Sequence, residues 1–284
     1  MPDTLSQSAK PTVFLTYAPQ FPLATFVDIL WLYENYHPSH TRERRLPDGS
    51  MELVINLRED AIRLYDPQHP DRFRSVRGSL LSGPQTEYGV LDTACQSSMM
   101  GIHFKPGGAF PFLNFPAAEL CDEAVSLDIL WGAKADVLRD QLRSSANPDS
   151  RFHMLEQALL AHLRRPLTRH PAIAFALKEF QNTTHRRTIA DVTEQIGLSP
   201  KRFIALFSQE VGLTPKLFCR IRRFQEALQC IRSGGDIEWA DIALHCSYFD
   251  QAHFIHDFRA FSGLIPSDYL RQQGEHLNHV PLSE

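Results

Sequence analysis

Much that would classify a chain at sight is missing from these 284 residues. No run of 18 apolar residues occurs, so no segment reads as a membrane-spanning helix, and no membrane partner is expected. The opening stretch MPDTLSQSAKPTVF lacks the basic-then-apolar order of a secretory signal. Cysteine is scarce: Cys95, Cys121, Cys219, Cys230 and Cys246 are odd in number, scattered and never spaced C-x-x-C. That usage points to reduced thiols and a cytoplasmic protein, not to a disulfide framework. Catalytic sets are missing too. No Ser-His-Asp arrangement or paired-carboxylate site stands out, and KPGGA (105–109) lacks the flanks of a phosphate loop and reads as a turn. Residues 50–120 hold only two histidines, His69 and His103, too few for a metal-binding barrel. The expectation is a protein that is not an enzyme and needs no cofactor and no metal.

What remains is ordinary in bulk and uneven in distribution. Apolar residues make up 43% and charged ones 22%, normal for a globular protein, and the length is enough for two domains with proper cores. Net charge is −4, so the chain as a whole does not advertise a polyanionic partner. Yet His185–Arg223 carries eight Lys/Arg against three acids, while Phe224–Arg271 carries three against seven. A basic segment sits beside an acidic one.

The first half reads as mixed α/β or β-rich. Alternation with β-branched residues predicts strands over 51–57 and 98–104, with further short strands over 61–66 and 78–83, and PDG (47–49) marks a turn. PLATFVDILWLYE (22–34) fits a helix or a strand equally well. Residues 119–143 are helix-permissive, and 151–165 have the 3.6-residue period of an amphipathic helix that could serve self-association. PLTRHP (166–171) breaks that helix. The domains are therefore placed at 10–165, a sensor-like or dimerisation domain, and 171–271, with 272–284 as a flexible tail.

From Pro171 onward the chain is helical and its caps are legible. Thr188 with Asp191 three residues on forms a capping box, and Gly197 suits a left-handed stop. Ser199-Pro200 opens a helix to about 211, ended by Gly212, and Thr214-Pro215 opens a longer one to about Arg232. The design then recurs: a helix over 239–245, Asp250 as N-cap, a helix over 251–261, and Gly263 as stop before Pro266. Phe203, Phe207, Phe254 and Phe258 are expected in the core. A short helix, a turn and a second capped helix make a helix-turn-helix unit, whose second helix can lie in the major groove. A connector of about 17 residues spans roughly 25 Å at 1.5 Å per residue, close to the ~34 Å between successive major-groove faces. Two such units on one rod suit two adjacent groove segments of double-stranded DNA.

IADVTEQIGLSPKRFIALFSQEVGLTPKLFCRIRRFQEALQCI, followed by WADIALHCSYFDQAHFIHDFRAFSGLIPSDYLR, resembles the DNA-binding domain of the AraC/XylS family of bacterial transcriptional regulators. The resemblance rests on Gly197, Ser199, Phe207, Gly212, Pro215, Ala227, Ile242, Ala243, Phe254, Phe258, Gly263 and Pro266. It implies an all-α domain with two helix-turn-helix units joined by a long helix. The N-terminal half is similar to a domain often fused ahead of such a unit, which implies no named ligand.

Carried over by position, base-reading roles fall on Lys201, Arg202, Ile204, Ala205 and Ser208 in the first unit. In the second they fall on Gln251, Ala252, His253, Ile255 and His256. Lys201 and Arg202 can bond guanine or phosphate, Ile204 and Ala205 offer apolar contact to thymine methyls, and Gln251 can pair with adenine. Arg186, Arg187, Arg220, Arg222 and Arg223 are phosphate-contact candidates. Ser247 stands where the family usually has Gly, which implies a strained second turn. The expected function is sequence-specific transcriptional regulation, modulated through the N-terminal domain by an unknown small molecule or by homodimerisation, with RNA polymerase as partner if it activates. The alternative is an enzymatic or metal-binding N-terminal domain merely targeted to DNA.

Overall fold

The computed structural model describes residues 11–69, 71–182, 187–234, 238–274 and 276–282. Its N-terminal half is β-rich and its C-terminal half helical. Ten strands come first: β1 (Val13–Tyr17), β2 (Val27–Glu34), β3 (Arg42–Arg45), β4 (Glu52–Asn56), β5 (Ala61–Tyr65), β6 (Phe73–Arg77), β7 (Ser79–Ser82), β8 (Gly89–Asp92), β9 (Ser98–Phe104) and β10 (Ala124–Ser126). Helices α1 (Leu127–Trp131), α2 (Lys134–Ser144) and α3 (Pro148–Ala161) follow. The helical half comprises α4 (Pro171–Gln181), α5 (Ile189–Ile196), α6 (Pro200–Val211), α7 (Pro215–Arg232), α8 (Trp239–His245), α9 (Gln251–Ser262) and α10 (Pro266–Gln272). A last strand, β11 (His279–Pro281), returns to the first half.

The strands form two sheets, ordered β1-β2-β9-β4-β7-β10 and β11-β3-β8-β5-β6, with antiparallel pairing throughout. The larger sheet shows the two-residue period of a strand with each face differently occupied. Leu30, Leu32, Leu53, Ile55, Met100 and Ile102 face a core shared with Leu138, Phe152, Leu155 and Leu159 of α2 and α3. The alternate residues Trp31, Tyr33, Val54 and Met99 face the smaller sheet. Both faces of β2 are thus apolar, and this is why 22–34 shows no period that separates strand from helix.

Three stretches of the first half differ from expectation. The helix-permissive segment 119–143 divides into a 3-10 turn at 117–120, β10, α1 and α2, because Gly132 at φ +63° interrupts the run. Helix α3 begins at Pro148 under an Asn147 cap and stops at Ala161, short of 165. Its apolar face lies in the core of its own domain, which accounts for the amphipathic pattern without a partner. The residues expected as a loose tail over 272–284 include β11, which pairs with β3 in the register Val280↔Arg44. Val280 is fully buried, and that burial is the physical reason the segment is fixed.

The helical half follows its local signals. Thr188 and Asp191 make the reciprocal capping box, Ser199, Thr214 and Asp250 cap α6, α7 and α9, and Gly197, Gly212 and Gly263 take left-handed stops. Phe203, Phe207, Phe218, Phe224, Phe254 and Phe258 are fully buried in one core that also takes in Leu46 and Val280 from the β-rich half. Cys219 and Cys230 are half-buried, whereas Cys246 is buried.

The halves meet along α6 and α7. A Cβ on Gly212, at the end of α6, would lie 2.8 Å from Pro84 and 3.2 Å from the Ala117 carbonyl, so the close approach needs glycine there. The PDG turn rests on α7, with Gly49 beside Phe218 and Ile221. KPGGA is more than a solvent turn: Arg169 donates to the Pro106 carbonyl at 2.8 Å, and Gly107 lies under the end of α6.

Candidate nucleic-acid interface and interior cavity

Helices α6 and α9 are each the second helix of a helix-turn-helix, and each buries its phenylalanine face. On α6 this leaves Lys201, Arg202, Ile204 and Ala205 exposed and Ser208 half-buried. On α9 it leaves Gln251, Ala252 and His256 exposed and Ile255 half-buried. His253 differs from that outward set. Its ring meets Tyr248 edge-on at 5.3 Å, and its Nε2 lies 3.7 Å from Asp257. The turn before α9 holds Ser247 at φ +58°, the left-handed conformation that the missing glycine led one to expect.

The arginine cluster is organised by intramolecular ion pairs. Asp257, buried on α9, accepts from Arg220 at 2.7 Å and lies 3.9 Å from Arg223, both on the connector α7. Arg220 also stacks over Phe261, and Arg223 over Tyr248. Arg187 pairs with Glu179 at 3.1 Å and with Gln195, tying α4 to α5. Arg222 is half-buried on α7, and Arg186 lies outside the described residues. The strongest pairing within the cluster therefore ties the connector α7 to α9, a role the sequence reading did not assign.

A second site was not foreseen. A cavity of about 690 Å³ lies between the two sheets. Trp31, Tyr33, Glu52, Val54, Met99 and His103 line it from the larger sheet. Gly101 makes room for Trp31: a Cβ there would lie 2.4 Å from the indole. At one end Arg45 pairs with Glu52 at 3.0 Å and Asp48 at 3.4 Å, while Trp31 Nε1 donates to Glu52 at 2.9 Å. His103 Nε2 stands 3.6 Å from Asp48. Burial alone would weaken the charge on Arg45, but attraction to Glu52, Asp48 and Glu43 outweighs it and raises its pKa.

The chain's final segment supplies one wall. His276, Leu277, Asn278 and His279 all line the cavity. The Tyr33 hydroxyl lies 2.6 Å from His276 Nε2, and His279 Nδ1 lies 2.8 Å from Glu43. Burial pushes the Glu43 carboxyl up, but hydrogen bonds and attraction from His279 and His40 hold it below the usual carboxylate range. The same segment is tied to the helical half. Gln225 of α7 donates to the Pro47 carbonyl at 2.7 Å and to Asn278 Oδ1 at 2.9 Å, and Tyr269 of α10 donates to the Leu277 carbonyl at 3.0 Å. Tyr88 also lines the cavity, and its ring packs under Gly263 at the end of α9. The alternating polar residues of β3 and β4, with the histidines of HLNH, were the available signals, but only the fold brings them together.

Residues 192–272 match a family model described as a helix-turn-helix domain, and residues 15–126 match one described as a domain of unknown function, DUF6597. No curated protein matches the chain. Solved structures of ToxT from Vibrio cholerae are similar at low identity. One, bound to (E)-4-(8-methylnaphthalen-1-yl)but-3-enoic acid, is 10% identical, with 91% of this chain and 98% of that chain covered and a TM-score of 0.45. One with unsaturated fatty acid bound is 11% identical, with 90% and 94% covered and a TM-score of 0.44. A third, ToxT from Vibrio cholerae O395, is 8% identical, with 91% and 97% covered and a TM-score of 0.43. At such scores the functional reading rests on this chain's own residues. Residues 192–272 thus form a helix-turn-helix domain.

Proposed function

We propose that the protein regulates transcription by placing α6 and α9 in adjacent major-groove segments of one DNA duplex, under control of a small molecule held in the β-rich half. The observation that carries the reading is the outward face of α6. Lys201 and Arg202 are exposed at its N-terminal end, above a buried phenylalanine face, where a reading helix presents its residues to base edges and phosphates. Helix α7 has 18 residues, or about 27 Å at the α-helical rise, so the two readers ride on one rod. In α9, Gln251 and His256 take the reading role, while His253 steadies the helix through Asp257. The acidic balance around α9 makes the first unit the main electrostatic anchor.

The test is DNA binding by the full-length protein on sites selected from random duplex, across a salt series. Lys201→Ala/Arg202→Ala is expected to weaken binding more than tenfold and to reduce the slope of log affinity against log salt by about 1–2. His256→Ala should cost less and leave the slope nearly unchanged. Absence of any specific site for the wild-type chain would sink the reading.

A further inference from the structure

The cavity's wall has a chemical signature of its own. Among the described residues its charged side chains are four arginines and seven carboxylates, so that lining is net negative with its histidines neutral. Arg63 is matched by Asp92 at 3.1 Å, an acid that also accepts from the Tyr65 hydroxyl. At the other end one guanidinium, Arg45, serves two carboxylates, Asp48 and Glu52. With His103, which stands 3.6 Å from Asp48 and 3.9 Å from Glu52, in its neutral form, that end carries one net negative charge in a partly desolvated setting, where a bound cation gains more than it would in water. Six aromatic side chains complete the lining: Phe14, Trp31, Tyr33, Tyr65, Phe73 and Tyr88. Aromatic faces favour organic cations, and they bury an apolar body at the same time. The Arg45 guanidinium, lying between the two carboxylates, repels a bare divalent ion from their shared edge, while Glu52 Oε1 and Asp48 Oδ1, which accept one hydrogen bond each from Trp31 Nε1 and the Ser50 amide, keep a second lone pair for an N–H donor.

We propose that this cavity binds an organic amine in its cationic form, with an aromatic or bulky apolar body, its ammonium directed to Asp48 and Glu52 and its body set among Trp31, Tyr33 and the His276–His279 wall. This deepens the effector reading and rests on it only for the use to which the ligand is put. A ligand so placed touches both sheets and the segment that Gln225 and Tyr269 tie to the helical half. Occupancy thus has a short physical route to α7.

The test uses a matched indole series on the full-length protein at pH 8, where free imidazole is neutral. Tryptamine is the cationic probe, tryptophol the neutral one and indole-3-acetate the anionic one, each titrated by calorimetry. Tryptamine is expected to bind at least tenfold more tightly than tryptophol, with indole-3-acetate weakest. Glu52→Gln and Asp48→Asn should each reduce tryptamine affinity towards that of tryptophol. If either variant fails to fold, the wild-type ranking decides alone. Equal affinities, a preference for the carboxylate, or no tryptamine binding at millimolar concentration overturns the proposal. DNA binding by the same preparation without ligand is scored separately. Amine binding without DNA binding leaves the site standing and removes the regulator reading, and the reverse result removes only the amine.

Discussion

Asp257 faces Arg220 at 2.7 Å, His253 at 3.7 Å and Arg223 at 3.9 Å while almost wholly buried. Removing its carboxylate strands two guanidinium groups against aromatic rings. Asp257→Ala is therefore expected to destabilise the protein by roughly 2–3 kcal/mol, read from urea unfolding, with the largest loss of amide protection in α9. An unchanged midpoint would mean that the pair is replaced by water without cost. The charges of this centre were visible in the sequence, but their use was not. Arg220 and Arg223 read as phosphate-contact candidates because the acid that holds Arg220 lies 37 residues further on. Ser247 was legible through the resemblance alone: the family usually has glycine at that position, which implied the left-handed turn that Ser247 adopts.

At the scale of the element, α6 is held at both ends by different chemistry. Its N-terminal turn is exposed and its C-terminal end is sealed against the β-rich half. Glu210 lies in that seal, where burial raises its pKa despite a backbone hydrogen bond from His170 and the nearby Arg169. The folded state therefore holds its proton more tightly than the unfolded chain does. Stability falls as pH rises from the ordinary glutamate value through the raised one, and the penalty is complete above that window. Glu210→Gln should melt above the wild type at pH 8, with the gap closing as the pH approaches 4, measured by thermal unfolding across pH. A gap independent of pH would contradict the burial cause.

Helix boundaries in this half were legible because a cap needs only a hydroxyl or carboxylate within three residues of the amide it serves, as Ser199 and Asp250 show. Strand β2 was not legible. Ile29, Trp31 and Tyr33 line the cavity while Leu30 and Leu32 enter the core, so the alternation that marks a strand is absent.

The whole molecule is joined by its final segment. The Leu46 amide donates to the Asn278 carbonyl at 2.8 Å, and Val280 fills a position in the helical core. A chain ending at Gly274 should lose about 1.5–3 kcal/mol from the burial of Val280 alone. Hydrogen exchange at Leu46 should quicken by an order of magnitude or more, while β9 keeps its protection. Retained protection at Leu46 would show that β11 contributes nothing to the seam. The cavity was illegible in the sequence for the same topological reason: its wall draws on residues 31, 52, 103 and 276–279, and nothing local announces that they meet.

The pairing of β11 with β3 has a consequence for assembly. His279 and Glu43 are 236 residues apart, so the contact closes a loop that encloses nearly the whole chain, and its entropic cost falls late in folding. During synthesis the ten earlier strands can assemble while the helical half is still being made, but the pocket they form stays one wall short. A chimera that transplants residues 11–165 onto another helical domain inherits that unfinished pocket. The two halves of this protein are not interchangeable parts, because the segment that follows the helical half completes the pocket of the β-rich one.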